Sequence, residues 1–139
     1  MGHRATGSFE ITRWDATTEE EDGGVTIASV LVGKEFRGGL TGTSAARLLT
    51  VTGQVPTSAA YVAVERMTGS LDGRTGSFVV QHSATMEGDG GEQHSTMTVT
   101  VVPDTGTGEL AGIRGEVTIT VHEDGSHTYA IEYDFGQLR

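Results

Sequence analysis

Apolar and polar residues alternate along much of this chain with a period of two. Val117-Thr118-Ile119-Thr120-Val121 is the plainest run, and the stretches around Tyr61–Met67 and Phe78–His82 follow it more loosely. Such alternation puts successive side chains on opposite faces of a strand. Strand character occurs at about 7–16, 25–37, 42–52, 59–70, 75–86, 93–102, 116–122 and 127–135, eight segments with turn signals between them. Loops are expected at Thr17–Gly24, Val55–Ser58, Glu87–Glu92 and Pro103–Gly108. No amphipathic helix stands out. Thr43–Leu49 has some helical propensity, but its threonine-rich flanks favour a strand. An antiparallel sheet of this size must hide its edges, and closure does so. The expected fold is all-β: one domain over residues 1–139, a single antiparallel eight-stranded barrel. Its interior would hold side chains or one small ligand.

A short string recurs three times, at Gly38–Gly42, Gly69–Gly73 and Gly108–Gly112, each reading Gly-x-Leu-x-Gly. The repetition suggests one hairpin device used three times, with the leucine tucked under a turn as an apolar plug.

Two hairpins define which residues share a face. Asp72-Gly73 is a strong two-residue turn. It puts Met67 opposite Phe78, Glu65 opposite Val80, Ala63 opposite His82 and Tyr61 opposite Ala84. One face then carries Tyr61, Ala63, Glu65, Met67, Phe78, Val80, His82, Ala84 and Met86. The other carries Val62, Val64, Arg66, Thr68, Ser77, Val79, Gln81 and Ser83, and reads as more polar. A three-residue loop would instead turn Arg66 inward in place of Glu65; the two-residue register is preferred. In the last hairpin the apolar pattern favours a three-residue loop, Glu123-Asp124-Gly125, matching Ile119 to Tyr129 and Val117 to Ile131. That register puts His122 and His127 on opposite faces, which argues against a metal pair.

Composition narrows the function classes. Nineteen acidic side chains against nine basic ones give a net charge of -10. This opposes nucleic-acid binding, which needs Lys and Arg on phosphates, and association with anionic membranes. The acidic run Glu19–Asp22 is expected to be a solvated loop, because it lacks the ligand spacing of a calcium site. The chain has no cysteine, so disulfide and thiolate chemistry are excluded. Neither an apolar leader near Met1 nor a run of membrane-spanning length is visible, and a cytoplasmic location is the default expectation. The glycine-rich segments lack the following helix that a phosphate cradle needs. No cofactor is implied.

The candidate chemistry lies on the apolar face of the central hairpin. Glu65 and His82 form a cross-strand diagonal there, within reach of each other. A carboxylate and an imidazole on an apolar wall can share and move a proton; the same two groups can also simply satisfy each other. Trp14, Tyr61, Phe78, Tyr129 and Tyr133 are candidate ligand-binding aromatics, with Trp14 and the tyrosines suited to a flat apolar molecule at one barrel mouth.

Three strings carry a resemblance. Thr6–Asp15, Glu65–His82 and Gly106–Gly115 resemble a bacterial family known as domain of unknown function 3224, and the likeness runs over nearly the whole chain. The resemblance implies a barrel similar to plant allene oxide cyclase. Related barrels include dirigent proteins and small bacterial cyclases that shape apolar substrates in a cavity. No catalytic residue of those cyclases maps onto this chain by motif. Three readings stay open: a cofactor-free isomerase or cyclase with Glu65 and His82 handling protons, a carrier or sensor of a small apolar molecule, and a filled-core module, including one that assembles with further copies of itself.

Overall fold

In a computed structural model, which describes residues 2–89 and 92–136, eight strands close into one antiparallel barrel. They are β1 (His3–Asp22), β2 (Val25–Gly38), β3 (Leu40–Thr52), β4 (Ala59–Leu71), β5 (Arg74–Asp89), β6 (Glu92–Val101), β7 (Ile113–Val121) and β8 (His127–Phe135). Each strand pairs with its neighbours in sequence, and β8 closes the sheet on β1 from His3↔Tyr133 to Phe9↔His127. No described helix is long and apolar enough to cross a membrane.

Both hairpin registers match those read from the turn chemistry. Asp72 and Gly73 turn with φ of 48° and 88°, and this pairs Glu65 with Val80 and Ala63 with His82. The three-residue loop, with Gly125 at φ 87°, pairs Ile119 with Tyr129 and Val117 with Ile131. His122 therefore faces outward, bonded to Thr128 Oγ1 at 2.8 Å, whereas His127 faces inward and stacks on Phe9.

The acidic stretch is not the expected loop at 17–24. β1 runs through it to Asp22, and only Gly23 and Gly24 form the turn. The carboxylates find hydroxyl donors across the ribbon: Ser29 donates to Glu19 at 2.8 Å and Thr26 to Glu21 at 3.2 Å. Those bonds offset the weak strand propensity of the acidic run. The middle of the expected 87–92 loop, residues 90 and 91, lies outside the described residues.

The three glycine–leucine strings are not one hairpin device either. Leu40 opens β3, Leu71 ends β4, and Leu110 sits in a short 3-10 turn, Gly108–Leu110. What they share is location. All three lie at the same end of the barrel, are essentially fully buried, and join one cluster with Phe78, Ile113 and Ile131. Burial of each is worth about 1.5–3 kcal/mol, and together they plug that end.

Close backbone approach explains Gly42. It lies opposite Gly69, where β3 and β4 bend past each other with φ of 145° at Gly42. A Cβ there would stand 2.1 Å from the carbonyl oxygen of Thr68. Gly42→Ala should therefore lower stability by about 2–3 kcal/mol, read as a shift in the urea midpoint. An unchanged midpoint would refute the steric account.

Candidate functional site

The end opposite the leucine plug is open. There the barrel encloses a cavity of about 210 Å³, walled by Ile11, Trp14, Leu48, Met97, Ile119 and Val121. Ile11 and Trp14 both face inward because the β1–β2 register shifts between Ile11 and Arg13. A bulge of this kind inserts one unpaired residue and flips the parity of the residues beyond it. Trp14 stands at the rim, 57% exposed.

The deeper wall of this cavity is polar. Lys34, Tyr61 and His82 line it, and Glu65 lies behind them with its side chain 0% exposed. His82 Nε2 is 2.7 Å from Glu65 Oε1, and Lys34 Nζ is 3.3 Å from the same oxygen. Ser44 Oγ donates to the other oxygen at 2.5 Å. The Tyr61 hydroxyl is 3.2 Å from His82 Nδ1. Small partners make room for these groups: Ala46 lies across from Glu65, Ala63 from His82 and Ala84 from Tyr61.

The partners assign the protons. A carboxylate only accepts, so His82 carries a proton on Nε2; in the neutral imidazole this leaves Nδ1 as an acceptor for the Tyr61 hydroxyl. Burial by itself pushes the Glu65 carboxyl up. The His82 hydrogen bond, the Lys34 charge and the Ser44 hydroxyl together outweigh it and hold the group down at about 2. Glu65 is thus an anion at neutral pH, a partner rather than a proton acceptor for anything in the cavity. Burial, and then the Glu65 charge, push the Tyr61 phenol up, so it carries its proton. The line Tyr61–His82–Glu65 is a hydroxyl–imidazole–carboxylate relay whose hydroxyl end reaches the cavity wall. Its chemistry is proton transfer, with the imidazole in the middle and the carboxylate fixing its tautomer.

The sequence-derived site residues divide in two. Glu65 and His82 meet as the register requires, and Trp14 and Tyr61 line the same cavity. Phe78, Tyr129 and Tyr133 lie in the core cluster, none of them on the cavity wall. The Tyr129 hydroxyl accepts from the Leu40 amide at 2.8 Å and donates to the Arg37 carbonyl at 2.9 Å, tying β8 to the β2–β3 turn. The Tyr133 hydroxyl donates to Asp72 at 2.5 Å. Sequence reasoning missed Lys34 and Ser44. The signal for Lys34 was present: it falls in step with Val30, Val32 and Phe36 on the inward face of β2, and it is the only lysine in the chain. Among the described residues, no three His, Asp or Glu side chains converge as a metal site needs.

The outward face of the central hairpin, expected to be more polar, exposes Val62 and Val64, and Leu31 of β2 and Leu49 of β3 are substantially exposed as well. They border a shallow groove on the barrel wall with Arg47 and Gln81.

A meander barrel plugged at one end, with an apolar cup at the other and a buried ion-paired relay at its base, defines the class of this protein. Within that class the chain belongs to the DUF3224 family. The family described as "Protein of unknown function (DUF3224)" matches residues 5–133. A crystal structure of a protein of unknown function from the same family, from Shewanella oneidensis MR-1, is similar throughout. It is 32% identical, with 99% of this chain and 100% of that one covered and a TM-score of 0.83. No curated protein matches the chain.

Proposed function

We propose that this protein binds a small apolar metabolite in the barrel cup and isomerises or cyclises it without a cofactor, moving a proton through Tyr61 and His82. The observation that carries this reading is the relay at the cavity wall: Tyr61 bonded to His82, and His82 bonded to a carboxylate held as an anion. Glu65 orients the imidazole and stabilises its protonated form, in the way a carboxylate supports a catalytic histidine. The cup is smaller than the roughly 300–1,000 Å³ of drug-sized pockets, so the ligand has the size of one or two rings. The resemblance to cyclase barrels supports the reading at the level of fold only.

A carrier of the same molecule is the second reading. It is favoured by the completeness of the resting network: among the described residues, no buried side-chain polar atom lacks a partner. Native mass spectrometry of protein purified gently from its own host tests both. A discrete mass excess, lost on denaturation, is expected. Trp14 is the only tryptophan and lines the cup, so titrating the recovered molecule back should change the intrinsic fluorescence. Ligand returned chemically unchanged after long incubation supports the carrier. The absence of any mass excess, or a recovered molecule that leaves the fluorescence unchanged, would overturn both.

A further inference from the structure

The only lysine of the chain is buried in the wall of the cup. Every other basic side chain apart from the histidines is arginine, and the Lys34 side chain is 10% exposed. Lysine is almost never buried this far unless it is paired. An ammonium group has three N–H donors. One is directed at Glu65 Oε1 at 3.3 Å, and the charge also rests 4.8 Å from the centre of the Phe9 ring. Among the described residues, Glu65 is the only hydrogen-bond acceptor the structure gives it. The remaining donors belong to a group that lines the cup, beside the Tyr61 hydroxyl and His82.

We infer that Lys34 receives the carbonyl oxygen of the bound molecule, so that the substrate class is a small, neutral, apolar ketone, aldehyde or enone. This rests on the proposed isomerase reading and specifies its substrate. Charge selects a carbonyl over a carboxylate. Lys34 and Glu65 cancel each other, so a ligand carboxylate would bring an uncompensated negative charge against Glu65 between apolar walls. A neutral carbonyl brings none until the reaction begins. Ion-paired to Glu65, the ammonium acts as a hydrogen-bond donor. It strengthens its hold as negative charge develops on the oxygen, as groups that stabilise an oxyanion do.

The step balances without a co-reactant. A C–H bond next to the carbonyl breaks, and its proton goes to the Tyr61 oxygen while the proton of Tyr61 passes to His82 Nδ1. The electron pair moves to the carbonyl oxygen, now an enolate held by Lys34. His82, doubly protonated, lies against the Glu65 carboxylate. Where a double bond lies β,γ to the carbonyl, the electron pair is shared with the γ carbon, and return of the proton there completes an isomerisation.

The phenol 4-nitrophenol is a stable stand-in for that enolate, because its phenolate is coloured and flat. At the solution pKa of the probe, calorimetry measures binding and visible absorbance measures the ionised fraction of bound probe. The wild-type protein should raise the ratio of ionised to neutral bound probe about tenfold, because the phenol proton passes to His82 and the imidazolium balances the phenolate held by Lys34. Lys34→Met should bind the probe with no such rise. If that variant fails to fold, Lys34→Met combined with Glu65→Gln removes both charges together and should behave the same way. Equal ionisation on wild type and either folded variant, with binding intact, overturns the carbonyl assignment and leaves the cup reading standing. No heat of binding to the wild type overturns both.

Discussion

Glu65→Ala should destabilise the barrel by about 3–5 kcal/mol, the usual cost of stranding one member of a buried ion pair. The substitution leaves Lys34, His82 and Ser44 without the carboxylate that all three contact. The same group gives the protein a pH dependence of known sign. Its folded-state value is depressed, from an ordinary 4.5 to about 2. Its stabilisation is therefore fully present above pH 4.5 and is lost as pH falls through that window. A fall from 4.5 to about 2 corresponds to about 3 kcal/mol. Urea midpoints measured from pH 7 down to pH 2.5 should drop steeply below pH 4.5 in the wild type. In Glu65→Gln the curve should be shallower and start lower. Parallel curves would show that the carboxylate is not held as an anion by its neighbours.

His82→Ala should slow proton exchange on the bound molecule by about 10²–10⁴-fold, the usual contribution of one positioned acid–base group. The measurement is deuterium incorporation from D₂O into the ligand recovered from the native protein, followed by NMR. Tyr61→Phe removes the hydroxyl at the cavity end of the relay and should slow exchange comparably. Glu65→Gln leaves the imidazole in place and weakens its support, so it should fall between these variants and the wild type, provided that it folds. Residues acting as one unit are not additive, so His82→Ala combined with Tyr61→Phe should be little slower than the worse single variant. If His82→Ala exchanges at the wild-type rate, the relay has no part in chemistry, and the network serves to lock the register of β4 against β5.

Local chemistry in the sequence reaches as far as neighbouring strands. The Asp72-Gly73 turn sets β4 against β5, and with that register Glu65 and His82 must share a face; the structure adds only the 2.7 Å contact. The eight-stranded barrel is legible in period-two alternation and regular turn spacing, because an unclosed sheet of that size would expose its edges. Three features of the structure depend on longer-range effects. The acidic run became strand because β2 supplies hydroxyls to its carboxylates. The inward aim of Trp14 depends on a parity change in β1 that simple alternation does not reveal. The tyrosines separate because the inward residues of a barrel spread along its whole depth, so Tyr129 and Tyr133 join the leucine-plugged core while Tyr61 stays at the cup.

By itself, then, the sequence determined the fold class, the two hairpin registers and the pairing of a carboxylate with an imidazole, all consequences of contacts between adjacent strands. Only the tertiary structure decided that Lys34, on β2, meets that pair from 31 residues away, and that one barrel end is plugged while the other is hollow. Both depend on curvature: closing the sheet brings side chains from non-adjacent strands to one point, and a period of two in the sequence carries no information about which strands will face each other across the interior.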